Sequence, residues 1–464
     1  MTNSDTECSP KAPLRNHVIF LTAVLLIGAV AGAFVWAFLF IMNTCIDLLW
    51  HTLPAAIDFK FLPLVICIIG GFVIGLAQKQ HEGLPEDMMD VIAQVKRDGG
   101  YDPAKIKASS LCAILPLIFG GSVGPEAGLV GVIAGLCTSI GAKLRGLGSD
   151  FRELAAAGTA ASVSAVFGAP LFAIAAPLEG FGKEVAQKIA GAQENEQAAI
   201  AQESDGSEEI TQNERFPKWV RVCTYILAAL GAFGVMALLN KLTGGGAGLP
   251  HFDTISFGNG EITAAIPAVI AGAAAGWLFH AGEHGTHALA HAIGKKPVLK
   301  AVIVGAVLGL CGSLLPFTMF AGEHQMHELM ETWTLLGGGA LVLTGFIKVL
   351  LTPLCVSFGW RGGHFFPVIF AGVAIGYGCA ILAGCDPVLA AAAGAGAVVG
   401  GVMRKPILAT LLLFLCFPIS AAPVMLVAAG FACLIPLPKA WRPAEAEKKP
   451  KRKRASSRQL EADA

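Results

Sequence analysis

The stretch GGSVGPEAGLVGVIAG at residues 120–135 has glycine at six of its sixteen positions. It also contains Pro125 and, directly after it, the acid Glu126. Glycine disfavours the interior of a helix, and an acid inside a bilayer is costly. Proline, however, suits the first turn of a helix, where its lack of an N–H group costs nothing. The stretch therefore predicts a helix that starts at Pro125, inside an apolar region.

The composition indicates a membrane protein. Of the 464 residues, 55% are hydrophobic and 14% are charged, and the mean hydropathy is +0.66. A soluble protein has about 25% charged residues. Apolar runs recur from Val18 to Leu437, which predicts an all-α polytopic membrane protein. The 56 glycines and 25 prolines favour discontinuous, tilted helices over simple spanning ones.

Charge placement divides the chain and suggests its orientation. Residues 182–216 carry eight acids against three bases and are predicted to be a polar cytoplasmic insert. This insert separates a first membrane repeat, 18–181, from a second, 217–437. We expect the protein in the inner (plasma) membrane of the cell. Its N-terminus (1–17) and its basic tail (438–464, with KKPKRKR at 448–454) are expected on the cytoplasmic side. The tail suits contact with anionic lipid, and no nucleic-acid partner or cofactor is expected.

The two repeats share landmarks in the same order. GGSVGP begins at residue 120 and GGHFFP at residue 362, and both open an apolar run. Prolines interrupt later apolar runs at Pro170 and Pro406. Paired glycine- and proline-broken segments are typical of inverted-repeat transporters, which bind their substrate at the membrane midplane between the repeats.

A helix that starts inside the membrane offers unpaired N–H groups and about half a positive charge, which favour an anion. Two such starts, one from each repeat, predict an anion site built from backbone amides. A third segment, HEGLPEDMMDVIAQV at 81–95, again places a glycine and a proline before an amphipathic run.

These three segments resemble the anion-binding motifs of the CLC family of chloride channels and transporters, G-S-G-I-P, G-[KR]-E-G-P and G-x-F-x-P. Here they read HEGLP (81–85), GSVGP (121–125) and GHFFP (363–367). The resemblance covers roughly residues 18–437. It implies an inverted-repeat fold, a homodimer with one pore per subunit, and a small inorganic anion as substrate. The expected amide donors are Ser122, Val123, Gly124, Gly363, His364 and Phe365, with Gly83, Leu84, Pro85, Pro125 and Pro367 at the helix starts.

Side chains of the family motifs differ more than the backbone signals do. The family's gating glutamate falls on Val123, and its central serine falls on Glu82. The first acid of the family's inner pair matches Glu179, but the proton-carrying second position is Gly180. These departures favour passive anion movement. The alternative is proton-coupled exchange through non-standard acids such as Glu126 or Glu179.

Two acids near the motifs have two interpretations each. Glu126 either complements the helix dipole or acts as a displaced gate, a carboxylate that competes with the anion one turn away from Val123. Glu82 either faces the central site or is solvated at the pore mouth. We expect Glu126 to complement the helix dipole and Glu82 to be solvated at the pore mouth.

A histidine stripe supports a third reading, a membrane metal-dependent enzyme. His280, His284, His287 and His291 share one face of a predicted helix, at a spacing that can hold zinc. The chain has no H-E-x-x-H motif, however, and a polar helix end explains the stripe. We therefore expect no enzymatic activity and no bound metal.

Overall fold

The computed structural model describes residues 14–57, 59–98, 100–144, 218–243, 250–255, 261–438 and 441. The predicted insert 182–216, the acid Glu179, the break at Pro170, and most of the two termini lie outside the described residues. Within them the chain is helical, and the single β-type pairing is an isolated bridge between Gly124 and Gly363.

Fourteen helices of eight residues or more occur in the part of the chain that the structure describes. Those before the insert are α1 (Leu14–Asp47), α2 (Leu62–Gln80), α3 (Met88–Asp98), α4 (Ile106–Ile118) and α5 (Glu126–Leu144). Those after it are α6 (Lys218–Thr243), α7 (Ile266–Ile293), α8 (Pro297–Leu314), α9 (Glu323–Thr332), α10 (Gly338–Ser357), α11 (Phe365–Ala383), α12 (Pro387–Met403), α13 (Pro406–Leu413) and α14 (Ala422–Leu434). A π-helical turn, Leu48–Thr52, follows α1.

Seven described helical segments are long and apolar enough to cross a membrane. They are Leu21–Ala55, Leu62–Gln80, Ile226–Thr243, Glu261–Ile293, Pro297–Leu314, Gly338–Ser357 and Phe365–Ala383. Three apolar helices are shorter: Glu126–Ile140, Pro387–Met403 and Ile419–Leu434. The prediction of an all-α polytopic membrane protein with discontinuous helices is therefore confirmed.

Small residues let the central helices α11 and α12 approach closely. A β-carbon at Gly372 would overlap the backbone of Ala395, and one at Gly376 would overlap that of Ala391. Close backbone approach gives membrane helices the van der Waals contact that association in lipid depends on. As a result α11 is almost entirely buried among α10, α12 and the neighbouring turns.

Two turns interrupt the helices at the centre of the bundle. The first, residues 119–125, joins α4 to α5, and the second, 358–364, joins α10 to α11. Trp360 of the second turn is fully buried, and its indole Nε1 donates to the Ala301 carbonyl of α8 at 2.9 Å. Ser122 of the first turn shares a hydrogen bond of 3.2 Å with Thr352 of α10. Helix α8 thereby supports the second turn, and helix α10 supports the first.

Candidate functional site

The two turns meet backbone to backbone. The Gly124 N–H donates to the Gly363 carbonyl at 2.7 Å, and the Gly363 N–H donates to the Gly124 carbonyl at 2.8 Å. Helix α5 begins directly after Pro125, and α11 begins at Phe365 with Pro367 in its first turn. The first turns of two helices, from the two parts of the chain, are therefore held side by side.

The Glu126 side chain crosses from one helix start to the other. Its Oε1 accepts a hydrogen bond of 2.8 Å from the Phe365 N–H, and the amides of Glu126 and Phe366 also interact with the carboxyl group. The residue is 1% exposed, and its Oε2 has no hydrogen-bond partner among the described residues. A carboxylate thus occupies the place where backbone amides of both helix starts converge.

Glycine makes room for that carboxylate. A β-carbon on Gly124 would overlap the Glu126 carboxyl group, and so would a β-carbon on Gly363. Side-chain-free backbone is what allows a ligand to approach peptide groups this closely. We call the space bounded by Gly124, Gly363 and the Phe365 amide the carboxyl seat.

The predicted amide donors are not all available in this arrangement. The amides of Gly124 and Gly363 bond to each other's carbonyls, and the amide of Phe365 bonds to Glu126. The amide of Ser122 interacts with the Cys355 sulfur of α10. The sequence prediction took these N–H groups as free, because nothing local in it indicates that the two turns pair.

The first glycine–proline segment lies beside the seat without starting a helix at once. The sequence predicted a helix start at Pro85. Helix α3 begins three residues later, at Met88. The Leu84 carbonyl accepts from the Gln78 amide at 2.6 Å, and the Gly83 carbonyl accepts from Arg361 Nη1 at 2.8 Å. These bonds hold the segment in an extended turn, and Glu82 is exposed on it.

Two basic residues near the turns were not identified from the sequence. Arg361 links the segment at Gly83 to the turn before α11. Lys348 of α10 is fully buried, and its Nζ donates to the carbonyls of Met319 and Phe320 at 2.7 and 2.8 Å, with those of Phe317 and Thr318 at 3.3 Å. Two signals were available in the sequence: Arg361 stands immediately before two glycines, and Lys348 is a lone charge within an apolar run.

Val123, which falls on the family's gate position, is fully buried and packs against Gly362. Its side chain is therefore turned into the protein, between the two turns. The only carboxylate that enters the seat from the described part of α5 is that of Glu126.

The histidine stripe does not form one site. His280 is buried, with Nε2 at 3.2 Å from the Gly401 carbonyl and Nδ1 at 3.5 Å from Glu283. His284, His287 and His291 are exposed. Among the described residues, no group of three or more His, Cys, Asp or Glu side chains is arranged to hold a metal ion. His280 and Glu283 instead interact electrostatically with His364, beside the start of α11.

Most of the chain matches a known protein family. The sequence model of the voltage gated chloride channel family matches residues 65–436. The chain is 26% identical over 381 residues to "Putative ion-transport protein YfeO" of Salmonella paratyphi A, covering 78% of this chain and 80% of that protein. The match to YfeO of Salmonella typhimurium has the same identity and coverage.

Solved structures share the fold. A CLC-type fluoride/proton antiporter superposes with a TM-score of 0.63 at 19% identity, covering 92% of this chain and 97% of the other. A slow cyanobacterial Cl⁻/H⁺ antiporter gives a TM-score of 0.65 at 18% identity, with 91% and 95% coverage. The three chains therefore share one fold.

Proposed function

The chain belongs to the voltage-gated chloride channel (CLC) family of anion transporters, and on that premise we propose that it carries small monovalent anions, chloride or a similar ion, passively across the membrane. In this proposal the anion passes through the carboxyl seat, and Glu126 is the gate. The observation that carries it is the hydrogen bond between the Glu126 carboxyl group and the Phe365 amide.

The physical argument is competition for one seat. Amides at helix starts favour negative charge, whether it belongs to a side chain or to a free ion. An ionised Glu126 occupies those amides, and a protonated Glu126 has lost the charge that holds it there. Anion flux should therefore rise as pH falls. We prefer this assignment to the dipole-complement role expected from the sequence, because the carboxyl group accepts a hydrogen bond from the start of α11, in the other part of the chain.

The passive mechanism is supported by two positions in the sequence. Val123 and Gly180 stand where the family has its proton-handling acids. Proton-coupled exchange remains the second candidate, because Glu126 is an acid within the seat and is fully buried there. The two proteins of similar structure described above are antiporters, which is a property of those proteins.

The test is anion efflux from liposomes that contain the purified protein, with the membrane potential clamped and the internal pH followed by an entrapped dye. Wild-type efflux should rise with acidity, and Glu126→Gln should give high efflux at every pH. The control is Glu331→Gln, which neutralises an exposed acid on α9. Parallel pH curves for wild type and Glu126→Gln would remove Glu126 as the gate.

The same vesicles separate the two transport mechanisms. A passive pathway moves anions down their gradient and leaves internal pH unchanged once the potential is clamped. Uphill proton movement driven by an anion gradient alone would establish exchange and overturn passive transport.

We further propose a homodimer in the inner (plasma) membrane, with both termini in the cytoplasm. The family relationship supports the dimer, and the basic residues of 448–454 support the orientation. Cross-linking in native membranes and protease access to the C-terminal tail in sealed vesicles of known orientation test the two statements separately.

A further inference from the structure

Tyr101, in the turn between α3 and α4, lies along α5 and directs its hydroxyl group at Gly131. The Tyr101 N–H donates to Thr138 Oγ1 at 2.9 Å. A β-carbon on Gly135 would lie 3.5 Å from Tyr101 Cδ1, and one on Gly131 would lie 3.7 Å from the hydroxyl oxygen. Because Tyr101 is only 2% exposed, this hydroxyl group ends inside the protein, at the level of the fifth residue after Glu126.

Ser109 of α4 faces the same glycine. Its Oγ would lie 3.7 Å from a β-carbon on Gly131, and Cγ2 of Val91 on α3 would lie 3.5 Å from it. A helical serine often donates to the carbonyl four residues earlier, as Ser110 does to that of Ile106 at 2.8 Å. Ser109 is fully buried and makes no such bond. Its hydroxyl group is therefore turned out of its own helix, towards α5.

The two hydroxyl groups and Gly131 enclose a polar site, which we call the hydroxyl pocket. Neither hydroxyl oxygen has a hydrogen-bond partner within the part of the chain that the structure describes. Buried polar groups without a partner are costly, and proteins satisfy many of them with internal water. A methyl group on Gly131 would meet Tyr101, Ser109 and Val91 at ordinary contact distances. The glycine thus leaves room for a group of about that size.

The surroundings of the pocket suit a neutral ligand better than an anion. Burial, together with the carboxylates of Glu86 and Asp102, raises the pKa of Tyr101, so its hydroxyl group stays protonated. Lys105 Nζ lies 5.7 Å from the centre of the Tyr101 ring, but it is paired with Glu86 Oε1 at 2.7 Å. This ion pair supplies no net positive charge to hold an anion. A water molecule, in contrast, can accept from one hydroxyl group and donate to the other.

We propose that the hydroxyl pocket binds a water molecule that bridges Tyr101 and Ser109 and fastens α3 and α4 to α5. Both buried hydroxyl groups are then satisfied, and a water-mediated bond is nearly as favourable in enthalpy as a direct one. Helix α3 follows the first glycine–proline segment, and α5 starts at the carboxyl seat. The water therefore joins two helices that lead away from the seat. It takes no part in the proposed gating by Glu126.

Gly131→Ala tests the pocket against a matched control, Gly234→Ala on α6. Alanine favours a helix over glycine, and a β-carbon on Gly234 meets open space, so the control should raise the midpoint of thermal unfolding in detergent. The methyl group at residue 131 fits its neighbours too, but it takes the place of the water. We expect its midpoint to fall by about 2 °C or more, because two hydroxyl groups lose their partner. A rise equal to that of the control would overturn the proposal.

Tyr101→Phe and Ser109→Ala test the bridge by removing one oxygen atom each. No direct hydrogen bond joins the two hydroxyl groups, so without a shared ligand their effects on the midpoint should add. With a bridging water, the double variant should lose less than the sum of the single losses, because either substitution alone breaks the bridge. Gly131→Ala added to the double variant should raise the midpoint, since no hydroxyl group is left to satisfy. Strict additivity of the two substitutions would contradict a shared water.

The same variants distinguish water from a halide ion. The unfolding midpoints of wild type and of the Tyr101→Phe, Ser109→Ala double variant are measured as chloride or fluoride replaces a large organic anion at constant ionic strength. A water bridge predicts the same halide dependence for both proteins, whatever the carboxyl seat binds. A halide-dependent stabilisation that only the double variant loses would overturn the water and assign the pocket to an anion.

Discussion

Gly363→Ala tests the carboxyl seat without substituting Glu126, the acid that fills it. The added β-carbon would overlap Cγ, Cδ and Oε1 of Glu126, and these are the nearest atoms it meets. The backbone at Gly363 is held in place by two hydrogen bonds to Gly124, so the side chain is the part that moves. We therefore expect the Glu126 carboxyl group to leave the Phe365 amide.

The size of the effect follows from the bond that is lost. A hydrogen bond to a charged group contributes about 1.5–3 kcal/mol, and about 1.4 kcal/mol is a tenfold change in an equilibrium. Losing this bond should therefore lower the equilibrium constant for occupation of the seat by ionised Glu126 by about 10- to 150-fold. The β-carbon lies in the same seat, so it also hinders the anion, and the variant should show low efflux with little pH dependence. At acidic pH its efflux should stay below that of wild type, because the β-carbon remains when Glu126 is protonated.

The assay is anion efflux as a function of anion concentration at alkaline and at acidic pH. Gly234→Ala on α6 is the matched control, because a β-carbon there meets open space. The combination Gly363→Ala with Glu126→Ala removes the overlapping atoms but keeps the β-carbon in the seat, so its efflux should stay below that of Glu126→Ala alone. The competition argument is refuted if Gly363→Ala folds, retains the wild-type half-saturating concentration at alkaline pH, and still shows the wild-type pH dependence.

Two further predictions concern the basic residues around the turns. Lys348→Met should lower the free energy of unfolding by about 3 kcal/mol or more, because it leaves several buried carbonyls without a donor. Thermal unfolding in detergent measures this change. An unchanged midpoint would contradict the stabilising role of Lys348. Arg361→Lys should reduce maximal flux at all pH values equally, because a shorter ammonium group loses the 2.8 Å bond to the Gly83 carbonyl and frees the first segment. A change in pH dependence, in place of a uniform reduction, would show that Arg361 acts on the gate instead.

Local chemistry allowed the helix breaks to be predicted. Glycines before Pro125 and before Pro367 leave the chain free to turn, and proline fits the first turn that follows. The structure has helix starts at Glu126 and Phe365 accordingly. The same reasoning was wrong about Pro85, since α3 begins only at Met88. Arg361 and Gln78 hold the carbonyls of Gly83 and Leu84, directly before the proline.

Contacts between distant parts of the chain could not be predicted in this way. The bridge between Gly124 and Gly363 joins residues that no local pattern pairs, and it removes two amides from the expected donor set. The same holds for Lys348, whose partners are carbonyls of the segment before α9. A sequence pattern indicates which backbone groups a turn exposes, but only the packing of the two repeats decides which of them remain available.

The position of Glu126 explains how an acid three residues beyond the usual gate can reach the seat. Three residues of helix rise only about 4.5 Å, and side chains in a helix tilt back towards its N-terminus. As the first residue of α5, Glu126 therefore directs its carboxyl group back to the level of the turn, where Gly124 and Gly363 leave room for it. Counted along the helix axis alone, the three-residue offset places Glu126 too far from the seat. That count leaves out the backward tilt of the side chain. With that tilt included, a one-turn shift in sequence and occupation of the same seat are compatible, and the small residues of both turns are what make them so.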